Sequence, residues 1–245
     1  MTDDPAPSRS RLAHAVLFLV PATLLALGLY MRTLAEGALA AFMDYETPFA
    51  FERAPVPPAR PMVQNVVVVL VDGLGLLPSR EMRVLGELRA QGADYAARIG
   101  LPSLSQPGRA VLMTGAWQEV HGQPTNFKPR PLRVEHLFQT VRRAGGTTAL
   151  SGMGEGVHKL FQPHVQKTLA FADPPESAPL EVYEAKLQEM TSGAQRIAAE
   201  KPTFALLEML IVDEAGHNLA ARRRSTARPR SSSTRSCASS SPRWT

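Results

Sequence analysis

The stretch that decides the fold is Val66-Val67-Val68-Val69-Leu70-Val71-Asp72-Gly73. Six consecutive β-branched or leucine residues form a short apolar run, the pattern of a strand buried on both faces of a parallel sheet. An acid and a glycine close it. In open α/β sheets, ligands bind beyond the carboxyl ends of the strands. An Asp in that place can therefore face a site, with Gly73 permitting a tight turn, or it can simply cap the next helix.

Downstream of this run the periodicity alternates. Residues 79–91 have helical spacing through Met82, Leu85 and Leu88 and stop at Gly92. Val134 to Ala144 reads as a helix ended by Gly145-Gly146, and Thr147 to Leu150 as a strand. Residues 181–199 read as a longer helix and Thr203 to Val212 as a second strongly apolar strand. Strand and helix in alternation predict an α/β domain with a doubly wound, mostly parallel sheet over residues 65–218.

Upstream, Leu12 to Met31 is a run of twenty residues without Asp, Glu, Lys or Arg, preceded by Arg9 and Arg11. At about 1.5 Å per residue it spans the roughly 30 Å hydrocarbon layer of a bilayer. The flanking arginines place residues 1–11 in the cytoplasm and carry the body across, to the periplasm or exterior. The competing reading is a cleaved signal peptide, for which Ala38-Leu39-Ala40 is a small-x-small site. The length of the run favours an uncleaved transmembrane anchor at 12–31. Residues 32–64, with five prolines between 44 and 64, read as a Pro-rich linker.

The formal net charge of +5 is misleading as a guide to partners. Residues 222–245 hold seven of the 27 basic residues and none of the 22 acidic ones, so the remainder is mildly acidic. No nucleic-acid partner is expected. The single cysteine, Cys237, lies in that tail and allows no intrachain disulfide. From residue 219 the sequence becomes Ser/Arg/Pro-rich, a composition that buries no core, and 219–245 are expected to be disordered. Such a composition is what a GC-rich gene gives in a shifted frame. The hypothesis of a frameshift, leaving the domain incomplete at its C-terminus, is tested by translating all frames downstream of the His217 codon.

Two further segments carry chemistry. In Leu101-Pro102-Ser103-Leu104-Ser105-Gln106-Pro107-Gly108-Arg109, a hydroxyl precedes a proline suited to the first turn of a helix. Ser105 would then stand at the positive end of the helix, where an anionic phosphoryl group is favoured, or serve as a plain N-cap. In Val212-Asp213-Glu214-Ala215-Gly216-His217, a carboxylate and an imidazole follow the second strand. If the turn closes they can share a cation, since oxygen plus nitrogen ligation suits Zn²⁺.

In this order, each behind a strand, the segments resemble the type I phosphodiesterase/nucleotide pyrophosphatase branch of the alkaline phosphatase superfamily. Thr114-Gly115, His121-Gly122 and Asp213-x-x-Gly216-His217 add to the match, which covers about residues 65–218. The resemblance implies a hydrolase of phosphate mono- or diesters acting through a covalent phosphoserine on Ser105, with two divalent metal ions of the Zn²⁺ type. By position, Asp72 and Ser105 would ligate one metal, Asp213 and His217 the other, and the Asn126 amide would hold a phosphoryl oxygen. The substrate would be a phosphate-ester small molecule or a lipid headgroup. His121 reads as structural, and no role is assigned to His136, His158 or His164.

The family pattern also contains an Asp-His-Gly segment and a later His. Neither follows His217 here, so an Asp and two His of the expected ligand set are missing. Two alternatives stand beside the phosphodiesterase reading. Ser105-x-Pro107-x-Arg109 is similar to the sulfatase Cys/Ser-x-Pro-x-Arg segment, although a single Asp72 followed by Gly73 departs from the sulfatase Asp pair. The other is a non-catalytic, membrane-anchored binding domain.

Overall fold

The computed structural model describes residues 8–51, 62–101, 103–154, 156–175 and 178–226. Four parallel strands form one sheet: β1 (Val66–Val71), β2 (Thr148–Met153), β3 (Lys167–Phe171) and β4 (Phe204–Met209), in the order β1-β4-β2-β3. β4 sits between β1 and β2, pairing Val66 with Phe204 on one side and Thr148 with Phe204 on the other. The central strands β2 and β4 are buried almost throughout, as continuous apolar runs in parallel sheets should be.

Helices cover both faces, so the doubly wound α/β expectation holds. On one face, Leu150, Phe204 and Leu206 pack with Met113 of α4 (Ser105–Thr114), Phe138 of α6 (Leu137–Arg143) and Leu160 of α7 (Gly156–Leu160). On the other, Ala149, Ala205 and Leu207 pack with Ala194 and Ile197 of α8 (Leu180–Ala199). Successive strand residues alternate between these two clusters, the period-2 consequence of the pleat.

β1 corrects one expectation. Among the described residues it is an edge strand paired only with β4, and it is buried on one face rather than both. Val68 and Leu70 reach the core, while Val66, Val67 and Val69 are exposed, because α8 packs on β2 and β4. The single helix expected over 79–91 is two, α2 (Leu76–Glu81) and α3 (Arg83–Gln91), broken where Met82 is extended. The bend lets Arg89 return to Ser79, donating to its carbonyl at 3.0 Å and its hydroxyl at 3.1 Å.

The N-terminal helix α1 runs Ser8–Met43, with Pro21 inside it. Its segment Val16–Met43 is long and apolar enough to cross a membrane, with a mean hydropathy of 1.7 and no burial within the protein. A bilayer anchor and a signal sequence both satisfy that description. The helix passes the expected boundary at Met31 because residues 32–43 are mostly good helix formers, with Arg32 and Glu36 paired one turn apart at 2.8 Å.

Residues 44–51, expected as part of a loose linker, are strapped to the domain. The Tyr45 hydroxyl donates to the Glu119 carbonyl at 2.9 Å and the Thr47 hydroxyl to Val120 at 2.8 Å. Lys128 pairs with Asp44 and Arg130 with Glu46. The Glu135 N–H donates to the Phe51 carbonyl at 3.0 Å. The strap is thus held mainly by its side chains, with the Phe51 carbonyl as a backbone group that the domain satisfies.

The C-terminal boundary also moves. Residues 219–226, expected to be disordered, continue helix α9 (Ile211–Thr226), where Leu, Ala and Arg are favourable helix residues. Residues 227–245 of the expected tail lie outside the described residues.

His136, given no role from sequence, is structural. It is 2% exposed and its ring lies 5.4 Å from Phe161 and 6.1 Å from Phe138. Burial first, then the neighbouring His164, lowers its pKa to about 4. Between pH 4 and 6.5 the unfolded chain holds a proton there that the folded chain refuses, so stability rises with pH across that window. Acidification from pH 7 to 5 should cost about 2 kcal/mol through this residue. The expected result is that His136→Phe loses that share of the acid sensitivity in urea unfolding. Equal pH dependence in both chains would contradict the assignment.

Candidate active site

The site residues gather at the carboxyl edge of the sheet, where β1 and β4 end side by side. The Asp72 N–H donates to the Met209 carbonyl at 3.2 Å, which ties the first residue after β1 to the last of β4. Gly73 follows at φ +74°, and a Cβ there would stand 2.6 Å from the Cα of Asp213. Only glycine meets both demands at low cost, so the Asp72-Gly73 turn lies directly against the start of α9. Gly73→Ala should therefore destabilise the protein by about 1–3 kcal/mol, read as a lowered Tm. An unchanged Tm would show that this contact is not fixed.

Asp213 and His217 lie on α9, not in a closing turn. At positions four apart on one helix face, their side chains approach to 3.5 Å between Asp213 Oδ2 and His217 Nε2. The Asp213 side chain is 27% exposed and that of His217 77%. Burial, then the charge of Asp72, raises the Asp213 carboxyl above its usual range, while His217 opposes the shift. The two carboxylates therefore sense each other across the β1–β4 edge.

Ser105 opens α4. The N-cap is Leu104, in an extended conformation, and Ser105 is the first helical residue, so the plain N-cap alternative does not hold. Free donors at this helix end can be counted. Pro107 has none, and the Gln106 N–H donates to Asn126 Oδ1 at 2.9 Å. That leaves the N–H groups of the N-cap, Leu104, and of Ser105 itself. The Ser105 hydroxyl is half-buried and has no hydrogen-bond partner among the described residues.

Asn126 is thus held beside Ser105 by its carbonyl oxygen, which leaves its NH₂ group to a ligand. The loop that delivers it is ordered by Gln123, whose side-chain amide donates to the Thr125 carbonyl at 2.6 Å. Gln123 in turn gives its N–H to His121 Nδ1 at 3.1 Å. Burial lowers the His121 pKa to about 4, so His121 is a neutral structural residue, as the sequence reading has it.

Two residues of the site carry no site assignment from sequence. Arg109, one turn after Ser105, donates from Nη2 to Asp72 Oδ2 at 3.1 Å and from Nε to Glu208 Oε1. Arg109 is 4% exposed and Glu208, inside β4, is 0% exposed. Burial raises the Glu208 pKa to about 7, against the pull of Arg109, with Asp72 adding to the rise. An acid in the apolar run Phe204-Ala205-Leu206-Leu207-Glu208-Met209 is the signal that could have drawn attention to it. Arg109 was visible only as part of the sulfatase-like segment.

These contacts link Ser105, one helical turn from Arg109, through Asp72 to Asp213 and His217. Their fit to metal ions is partial. Asp213 and His217 offer an oxygen and a nitrogen close together. Asp72 is already engaged, accepting from the Gly73 N–H at Oδ1 and from Arg109 at Oδ2. Among the described residues, no three His, Cys, Asp or Glu side chains gather as a metal site. As arranged, the residues do not fit a two-metal centre, and a guanidinium stands against Asp72.

Among solved structures, the chain is similar to phosphonoacetate hydrolase from Sinorhizobium meliloti 1021, determined in complex with phosphonoacetate. The two share 17% identity with a TM-score of 0.46, over 59% of this chain and 45% of that one. The chain thus spans less than half the length of that hydrolase, and a likeness of this size does not bear on activity. No protein-family profile and no curated protein matches the chain.

Proposed function

We propose that the chain carries the phosphoryl site of an alkaline phosphatase-type ester hydrolase, with Ser105 as nucleophile. The observation that supports it best is the pairing of Asn126 with the first turn of α4. That bond leaves a free hydroxyl, the Ser105 N–H and an amide NH₂ around one point at the carboxyl edge of a parallel sheet. A dianionic phosphoryl group suits such a place.

In the reaction, Ser105 Oγ attacks phosphorus. The Oγ–P bond forms as the P–O bond to the alcohol breaks. The serine gives up its proton and the departing alkoxide takes one up. Water then cleaves the Oγ–P bond, releasing the phosphate and restoring the serine. Ser105 N–H and Asn126 Nδ2 hold the phosphoryl oxygens through both steps. The metal-ligand roles that the resemblance implies for Asp72, Asp213 and His217 are not carried into these steps, since Asp72 is held by Arg109 and, among the described residues, no third ligand gathers beside Asp213 and His217.

A second reading is favoured by the engagement of Asp72 with Arg109: a membrane-anchored domain that binds phosphate esters without cleaving them. The experiment is turnover of 4-nitrophenyl phosphate and 4-nitrophenyl sulfate by the full chain, with and without added Zn²⁺. Phosphate turnover that needs Ser105 supports the hydrolase. Inorganic phosphate binding without turnover supports the second reading, and preferred sulfate turnover would replace both with a sulfatase.

A further inference from the structure

Two apolar cavities meet at Gln118. The first, about 190 Å³, is walled by Leu104, Pro107, Gly108 and Val111 of the α4 region and by Ile99 and Gly100. It begins at Leu104, the residue before Ser105, and takes in Pro107, two residues after it. The second, about 230 Å³, lies between Ala41, Phe42 and Tyr45 at the end of α1 and Leu101, Glu119 and Pro124. Gln118 lines both, and its side-chain amide donates to the Leu101 carbonyl at 3.0 Å. Joined at Gln118, they run as a trough from Leu104, the residue before Ser105, to the end of the helix that is apolar enough to cross a membrane.

The surroundings are apolar where a soluble protein is usually polar. Leu101 is 86% exposed, and Ile99, Leu112 and Trp117 are exposed beside it. A patch of this kind, contiguous with a groove, marks a surface that meets something apolar. Arg98 is the single charged side chain on the first cavity, suited to an anionic ester.

Position supplies the rest. The apolar run ends at Met31, and Ala41 stands ten residues further, about 15 Å along the helix. The headgroup layer takes up roughly 5–8 Å of that distance. The strap of Asp44, Tyr45, Glu46 and Thr47 holds this end of α1 on the domain, so an α1 seated in a bilayer would hold the second cavity at a fixed height above it. A water-soluble alcohol would need neither the trough nor its place.

We infer that the substrate is a membrane amphiphile: a phosphate ester whose alcohol carries one long apolar chain, its phosphoryl group at Ser105 and its chain in the trough towards α1. The inference rests on the reading of Ser105 given above.

The test uses the full chain in nanodiscs, with Trp244→Phe so that Trp117 alone reports. Trp117 packs on the wall of the first cavity, since a Cβ on Gly100 would stand 2.7 Å from its ring. The probes are dodecyl phosphate and ethyl phosphate. Dodecyl phosphate is expected to bind at least about 30-fold tighter, because part of its chain is buried. Gly108→Phe fills the cavity, as a side chain at Gly108 meets open space. This variant should erase the preference, and Phe42→Asp should reduce it.

Ser105→Ala should keep the preference while losing turnover. Equal binding of the two phosphates, or a preference that survives both cavity variants, would overturn the inference. Turnover of ethyl phosphate as efficient as that of dodecyl phosphate would also overturn it and leave the hydrolase reading standing. Chain preference without any turnover would do the reverse.

Discussion

Ser105→Ala is expected to lower phosphate-ester turnover by at least about 10³-fold while leaving the unfolding midpoint nearly unchanged. The two halves of this result have separate causes. Activity falls because no other hydroxyl stands at the first turn of α4 beside Asn126. Stability holds because the Ser105 side chain is half-buried and caps nothing. A surface-like change of this kind usually stays within about 0.5 kcal/mol. Turnover within a few-fold of wild type would remove Ser105 from the chemistry. A large drop in stability would mean that the activity loss reports unfolding instead.

Arg109→Met is expected to show the opposite profile, a large loss of stability. Removing one partner of a buried ion pair leaves an uncompensated charge, a change of about 3–5 kcal/mol. Here Glu208 is fully buried and Asp72 partly so, and Arg109 serves both. The sign of the pH dependence follows from Glu208. Its folded pKa already lies near 7, above its ordinary value. Without Arg109 it rises further. Stability owed to a raised carboxyl pKa is fully present below the unfolded value and is lost as pH rises through the folded one. Urea unfolding should therefore show a small deficit near pH 4.5 and a large one at pH 8. Adding Glu208→Leu should recover part of the loss at pH 8, because a well-packed apolar residue can replace a buried ion pair. A deficit independent of pH would mean that Glu208 is not the group left unpaired.

The parts of the fold that were legible in the sequence are those with strong periodicity. The run to Val71 identifies β1, the run Thr203 to Val212 identifies β4, which stops at Met209 because α9 opens at Ile211, and the helical reading of 181–199 identifies α8. The glycines read as helix ends, Gly92 and Gly145, do follow α3 and α6, Gly145 with positive φ and Gly92 in an extended conformation. What was not legible depends on tertiary partners. The exposure of Val67 and Val69 follows from strand order, which a local pattern does not encode. The docking of residues 44–51 depends on carbonyls at Glu119 and Val120, more than seventy residues away.

The site divides in the same way. Asp72, Ser105 and Asp213 are readable because each stands just beyond an apolar run or beside a proline. Asn126 is reached only through the resemblance, and the structure places it on Gln106. Glu208 escaped because a buried acid inside a strand looks like an interruption until its counter-charge on α4 is found. The helical setting of Asp213 and His217 escaped because Gly216 suggests a turn, yet Gly216 has open space around it within α9.

The most direct test of the account is to look for the covalent intermediate. The full chain would be incubated with a phosphate ester, quenched in acid, digested and analysed by mass spectrometry. Phosphorylation is expected on the peptide that contains Ser105, absent in Ser105→Ala and reduced in Asn126→Ala. Turnover with no phosphorylated peptide, or with the phosphate on another residue, would contradict it.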